Sequence, residues 1–325
     1  MRTHHFLIAV LSTAVVGFGV AACGSDDESS GGSGNASAEG GLKGSIAIDG
    51  SSTVYPFGQA AAELFNEENP DVKISVGQSG TGGGFEKFCA GETDISNASR
   101  PIKDDEEAPV CQKSGVEYAE VQVANDGIAV VTNKDLKVDC LTTDQLKELW
   151  NKGSKVSTLQ QVDASLPADK LSLYGPGTDS GTFDFFTGEI NGEEGVTRED
   201  YEASEDDNQL VTGVSQDKGG LGYFGFSYYE ANASKLNLVG VGSGSGGDCV
   251  KPSSEAIQNG SYKPLSRPLF MYPSAKAIKR PEVKAFMDFV IANQPAIAKA
   301  AAIVPMTTEQ ATDAKASLQK AESGA

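Results

Sequence analysis

Three segments of this chain set Ser and Thr hydroxyls beside glycine in the same way: Asp49-Gly-Ser-Ser-Thr53, Gln78-Ser-Gly-Thr-Gly82 and Gly177-Thr-Asp-Ser-Gly-Thr182. Each follows a strand-like run and opens a helix-like run. Such a turn offers hydroxyl donors, free backbone N–H groups and the positive end of a helix dipole, which together suit a small anion. Glycine lets the backbone approach that anion closely. Ser and Thr also cap helices in general, so one such turn would say little. Three in one chain point to a shared site. None fits GxxxxGK[ST], so a nucleotide P-loop is not indicated.

A charge is also needed, and two residues stand near these turns. Arg100 follows Asp94-Ile-Ser-Asn-Ala-Ser99 and precedes Pro101, where a fixed guanidinium could meet an oxyanion. Asp179 lies inside the third turn, where it is either a capping acid or an acceptor for a ligand proton. Catalysis is poorly supported. Both histidines, His4 and His5, lie at the extreme N-terminus, so a chain processed there has no Ser–His–Asp or Cys–His pair and no His-containing metal site. A hydrolase using Ser180 would have to rely on Asp179, a poor base for serine. The acidic stretch from Glu193 to Asp207 reads as a solvated loop, and its spacing matches no EF-hand. No metal and no cofactor is expected.

The elements that must position these turns alternate. Strands are expected at Ser45–Asp49, Val72–Val76, Asp94–Ser96, Leu171–Tyr174, Gly220–Phe224, Leu236–Val241 and Pro268–Tyr272, with a long extended run over Glu117–Thr132. Helices are expected at Phe57–Asn66, from Phe85, over Asp104–Ser114, from Thr142 to Trp150, over Thr182–Ile190 and Asn208–Ser215, and through most of Glu282–Lys320. This order indicates an α/β fold with a parallel or mixed sheet. Extended connections near 118–126 and 262–272 flank a middle block, giving a discontinuous lobe I (42–124 plus 263–325) and an inserted lobe II (125–262). Two crossings make a hinge that can close around a ligand.

Residues 1–22 read as an export leader, with Arg2 ahead of an apolar run from Phe6 to Val20. That run is short for a membrane span of about 20 residues. Gly19-Val20-Ala21-Ala22-Cys23 resembles a bacterial lipobox, which implies cleavage before Cys23 and lipidation of its thiol. Residues 23–41 then form a Gly/Ser/acid tether. Four cysteines remain, Cys89, Cys111, Cys140 and Cys249, and an exported chain would pair them. Of three possible pairings, Cys89–Cys111 with Cys140–Cys249 is favoured, because the first closes a short loop within one lobe.

GSSTVYP, SGTGGGF, DISNASRP and GTDSGTF, in this order, resemble the phosphate-binding lipoproteins of bacterial Pst-type ABC transporters. GGLGYFGFSYYEAN (219–232) and PLSRPLF (264–270) extend the likeness over nearly the whole mature chain. The resemblance implies a two-lobed type II periplasmic-binding-protein fold, inorganic phosphate as ligand, no catalysis and delivery to a membrane permease. It implies a lipid-anchored monomer on the outer face of the cytoplasmic membrane. The ligand set it implies is Ser52 and Thr53, Ser79, and Ser180, Gly181 and Thr182. Many relatives carry an Asp where this chain has Arg100, and an Arg where it has Pro176. The departure suggests exchanged roles, with Arg100 neutralising the dianion and Asp179 accepting its proton. Another tetrahedral oxyanion, such as sulfate or molybdate, is the alternative ligand.

The formal net charge is −19 over 325 residues, and removal of Arg2 with the leader leaves −20. Such a balance excludes a nucleic-acid partner. It does not exclude an anionic ligand, because a cleft is governed by its own dipoles and nearby charges once screening acts beyond about 8 Å.

Overall fold

The computed structural model describes residues 41–323, so Cys23, the leader and the tether lie outside the described residues. The first strand, β1 (Gly44–Gly50), alternates as expected and buries Ile46 and Ile48. It pairs in parallel with β2 (Val72–Val76) and β3 (Ile95–Ala98). Helix α1 (Tyr55–Glu68) starts with Pro56 in its first turn and packs Phe57, Ala61 and Phe65 inward. Helix α2 (Gly80–Cys89) follows β2, and α3 (Ala108–Lys113) follows β3. The last helix starts later than the sequence pattern implied. Residues 104–107 form a turn instead, with the Glu107 carboxylate accepting from the Lys103 N–H at 2.9 Å.

Strand β4 (Val121–Asn133) is long and almost wholly buried. After it come β5 (Cys140–Thr142), α4 (Thr143–Trp150), β6 (Ser172–Gly175) and α5 (Gly181–Phe186). The last runs into a π-helical turn, Thr187–Asn191, that ends at Gly192. Short β7 (Glu202–Ala203), α6 (Asp207–Gln216), β8 (Gly220–Gly225), α7 (Phe226–Asn232), β9 (Leu236–Gly242) and α8 (Ser254–Gln258) complete the middle of the chain. Strand β10 (Ser266–Pro273) returns, and α9 (Pro281–Ala300) and α10 (Thr308–Ser323) close it. Helix α4 shows how locally its start is fixed. Thr142 accepts from the Gln145 N–H at 3.2 Å, and the Gln145 side chain accepts from the Thr142 N–H at 2.8 Å.

The sheet runs β2-β1-β3-β10-β4-β8-β6-β7, with β9 also on β4 and β5 on β9. Strand β4 divides its pairing. Val121–Gly127 pairs with β10, while Ile128–Asn133 pairs with β8 and β9. The hydrophobic cores divide in the same way. One draws on Ile46–Ala124 and Leu269–Leu318, the other on Ile128–Leu265 with Val304. The fold is α/β and two-lobed, and β4 and β10 carry the chain between lobe I, around the first core, and lobe II, around the second.

Both favoured disulfides are present. Cys89–Cys111 ties the end of α2 to α3 beside a small cluster containing Phe85, Phe88 and Tyr272. Cys140–Cys249 ties β5 to the loop after β9. No helix among the described residues is long and apolar enough to cross a membrane.

Candidate functional site

Because β1 and β2 are parallel neighbours, the first two turns leave the same edge of the sheet. Helix α2 packs against the end of β1 so closely that a Cβ on Gly84 would come within 2.5 Å of the Gly50 Cα. Neither α1 nor α2 has a side-chain cap on its first turn. At α2 the N-cap residue Ser79 turns its hydroxyl to the Asp49 carboxylate instead. Asp49 also receives Lys87 at 2.8 Å, and these partners hold its carboxyl below the usual range against the opposing effect of burial. The first backbone donors of α2 are therefore left for a ligand, whereas at α1 the Tyr55 N–H already bonds the Ser51 carbonyl at 2.9 Å and Pro56 has none.

The third turn comes from lobe II and closes on the first. A Cβ on Gly181 would lie 2.1 Å from Thr53 Oγ1 and 2.4 Å from Thr53 N. Only glycine fits this interlobe contact. Ser180 Oγ accepts from the Thr182 N–H at 3.2 Å, an ordinary N-cap. A second contact between the lobes lies outside, where Gln78 Nε2 donates to the Asp179 carbonyl at 3.2 Å.

These turns enclose a cavity of about 440 Å³ between the lobes. Of the residues singled out from sequence, Ser52, Thr53, Ser79, Gly181 and Arg100 line it. Ser180 and Thr182 stand beside it on the same turn, and Asp179 is exposed and does not line it. Ser99 and Thr81 meet at 3.0 Å on its wall. Arg100 is half-exposed and chelated by Glu107, with Nη1–Oε2 at 2.8 Å and Nη2–Oε1 at 2.6 Å. That pair raises the Arg100 pKa and holds Glu107 low despite burial.

The other cation on the cavity is Arg267, which lies in the PLSRPLF segment but is not among the expected ligand residues. Its side chain is 13% exposed, and Nε donates to Asp126 Oδ2 at 3.2 Å. Nη2 donates to Thr53 Oγ1 at 2.6 Å and to the Gly181 carbonyl at 3.1 Å. The guanidinium lies 3.8 Å from the centre of the Phe185 ring. Burial pulls its pKa down, and Asp126 opposes that. Arg267 stands in PLSRPLF, an extended segment far in sequence from every turn it touches.

Facing Arg267 is a wall of three carboxylates, Asp184, Glu189 and Glu194. Burial pushes Asp184 and Glu189 above the usual carboxylate range, and Glu194 adds to it, while Arg267 pulls both back. The arrangement can therefore hold a tetrahedral oxyanion between hydroxyls, amides and one guanidinium, and can accept a proton from it. Among the described residues no three His, Cys, Asp or Glu side chains converge as metal ligands.

Known proteins similar to this chain identify its family. Residues 35–294 match a PBP superfamily domain. The chain is 46% identical to Protein SphX of Synechococcus elongatus over 83% of this chain and 80% of that protein. It is 40% identical to the phosphate-binding protein PstS of Staphylococcus epidermidis, over 91% and 88% of the two chains. A crystal structure of a possible phosphate-binding protein from Planctomyces limnophilus superposes with a TM-score of 0.80 at 42% identity, covering 86% of this chain and 99% of that one.

Proposed function

We propose that this chain, which belongs to the PBP superfamily and is PstS-like within it, captures inorganic phosphate between its lobes and delivers it to an ABC permease. The observation that carries this is the convergence of three Ser/Thr/Gly turns from two lobes on one cavity with a buried guanidinium. Ser52, Thr53, Ser79, Ser180, Gly181 and Thr182 supply hydroxyls and amides. Lobe I comprises 42–124 plus 263–325 and lobe II 125–262, a division supported by the two cores. The protein works without catalysis as a monomer, exported and held at the outer face of the cytoplasmic membrane by lipid on Cys23.

We further infer that two roles are distributed differently from the sequence expectation. Arg100 is occupied by Glu107, so the main counter-charge falls to Arg267. Asp179 is exposed, so acceptance of the phosphate proton falls to the wall of Asp184, Glu189 and Glu194. A carboxylate that can only accept disfavours sulfate, which has no proton to give, and this favours phosphate over the other oxyanions.

Calorimetry with inorganic phosphate tests the reading. One site of micromolar or tighter affinity is expected, and absence of heat and of any thermal shift would refute it. A charge-assisted pair contributes about 1.5–3 kcal/mol, or roughly 10- to 150-fold in affinity. Arg267→Ala should lose within or beyond that range, whereas Arg100→Ala should lose less than about tenfold.

A further inference from the structure

We propose that Arg267, by contacting the anion and both lobes together, makes lobe closure and anion capture a single event. This rests on the phosphate reading above. Arg267 stands opposite Asp126 in the β10–β4 ladder, on the two strands by which the chain passes between lobes. Asp126 is buried, with a side chain 6% exposed, and its carboxylate holds Nε. The guanidinium is thus mounted at the hinge itself.

From there it reaches both ways. Nη2 donates to Thr53 of lobe I at 2.6 Å and to the Gly181 carbonyl of lobe II at 3.1 Å, and its face lies on Phe185 of lobe II. Among the described residues the protein gives Nη1 no acceptor, so its two N–H groups remain for an anion in the cavity. Swinging lobe II outward removes Gly181 and Phe185 from a guanidinium still held by Asp126. An anion meeting Nη1 and the hydroxyls of both lobes opposes that movement, because its contacts exist together only when the lobes are closed. The planar fork is essential. A lysine keeps the charge but, as a point donor, cannot hold Asp126, Thr53 and Gly181 in one arrangement.

Small-angle X-ray scattering of the purified mature protein, with and without inorganic phosphate, combined with calorimetry, tests this. The wild-type radius of gyration should fall on phosphate addition. Arg267→Lys should bind phosphate at least tenfold more weakly and show no such fall at saturating phosphate. Phe185→Leu, which leaves every Arg267 hydrogen bond in place, should show a reduced fall and provides the test should Arg267 variants fail to fold by circular dichroism. Arg267→Lys or Phe185→Leu closing with wild-type amplitude at saturation would overturn the proposal. If wild type binds no phosphate, the phosphate reading fails separately. Comparing the ligand-free radii then decides the latch, with a larger radius in Arg267→Lys supporting it and an equal one refuting it.

Discussion

Two arginines reach the cavity, Arg100 held by Glu107 through both terminal nitrogens and Arg267 held by Asp126 through Nε with Nη1 left without a protein acceptor among the described residues. The carboxylates opposite Arg267 carry the prediction about selectivity. Asp184→Asn combined with Glu189→Gln should lower the phosphate-over-sulfate preference at least tenfold, read by competition calorimetry. An unchanged ratio would remove the wall from the account. Behind the site, Asp207 accepts weakly from the Gly225 N–H at 3.4 Å. Burial, then the nearby Asp126, Asp206 and Glu205, push its carboxyl up to about 6. An acid raised in the folded state holds its proton more tightly there than in the unfolded chain. Its stabilisation is complete below about pH 4, the unfolded value, and is lost as pH rises through 6. Asp207→Asn should therefore be more stable than wild type at pH 7–8, by up to about 3 kcal/mol. The gap should shrink as pH falls to 4 in urea titrations. A pH-independent difference would contradict this assignment.

The elements place these residues through their ends. Strands β1 and β2 deliver two turns to one sheet edge, and β6 delivers the third from the other lobe. The contact between them leaves no room at Gly181. Gly181→Ala should hold the lobes apart and weaken phosphate binding at least tenfold, while the melting temperature of the ligand-free protein stays within a few degrees. Scattering should show the more open form, and unchanged affinity would mean that the turns need not touch. The strands and helices were mostly legible beforehand. Period-two alternation marks Ile46 and Ile48, and Thr142 with Gln145 marks the start of α4. Helix α3 starts later than expected, because Asp104 to Glu107 have helix-compatible types but Glu107 spends its carboxylate on Arg100 and the Lys103 N–H, and Glu106 spends its own on Lys103 Nζ.

At the scale of the molecule, the net charge of −19 repels a phosphate dianion. A folded part of this size has a radius of gyration of about 19 Å, against a screening length of about 8 Å at physiological salt. The on-rate for phosphate should therefore rise severalfold between about 10 and 150 mM salt, measured by stopped flow. A falling on-rate would mean that Arg267 dominates the approach and not the surface acids.

The sequence by itself determined the α/β order, the even set of four cysteines available to pair and the three turns that converge on the cavity. These are written in local signals, namely periodicity, caps, glycine beside hydroxyl, and cysteine count. Only the tertiary structure brings a second cation, Arg267, to the cavity. Arg267, Asp126 and Thr53 are separated by up to 214 residues and meet because β4 and β10 lie side by side at the hinge. Arg100 and Asp179 adjoin the turns, and adjacency along a chain does not fix where a side chain points. Partners do, and Glu107 claims Arg100, while the third turn leaves Asp179 facing solvent.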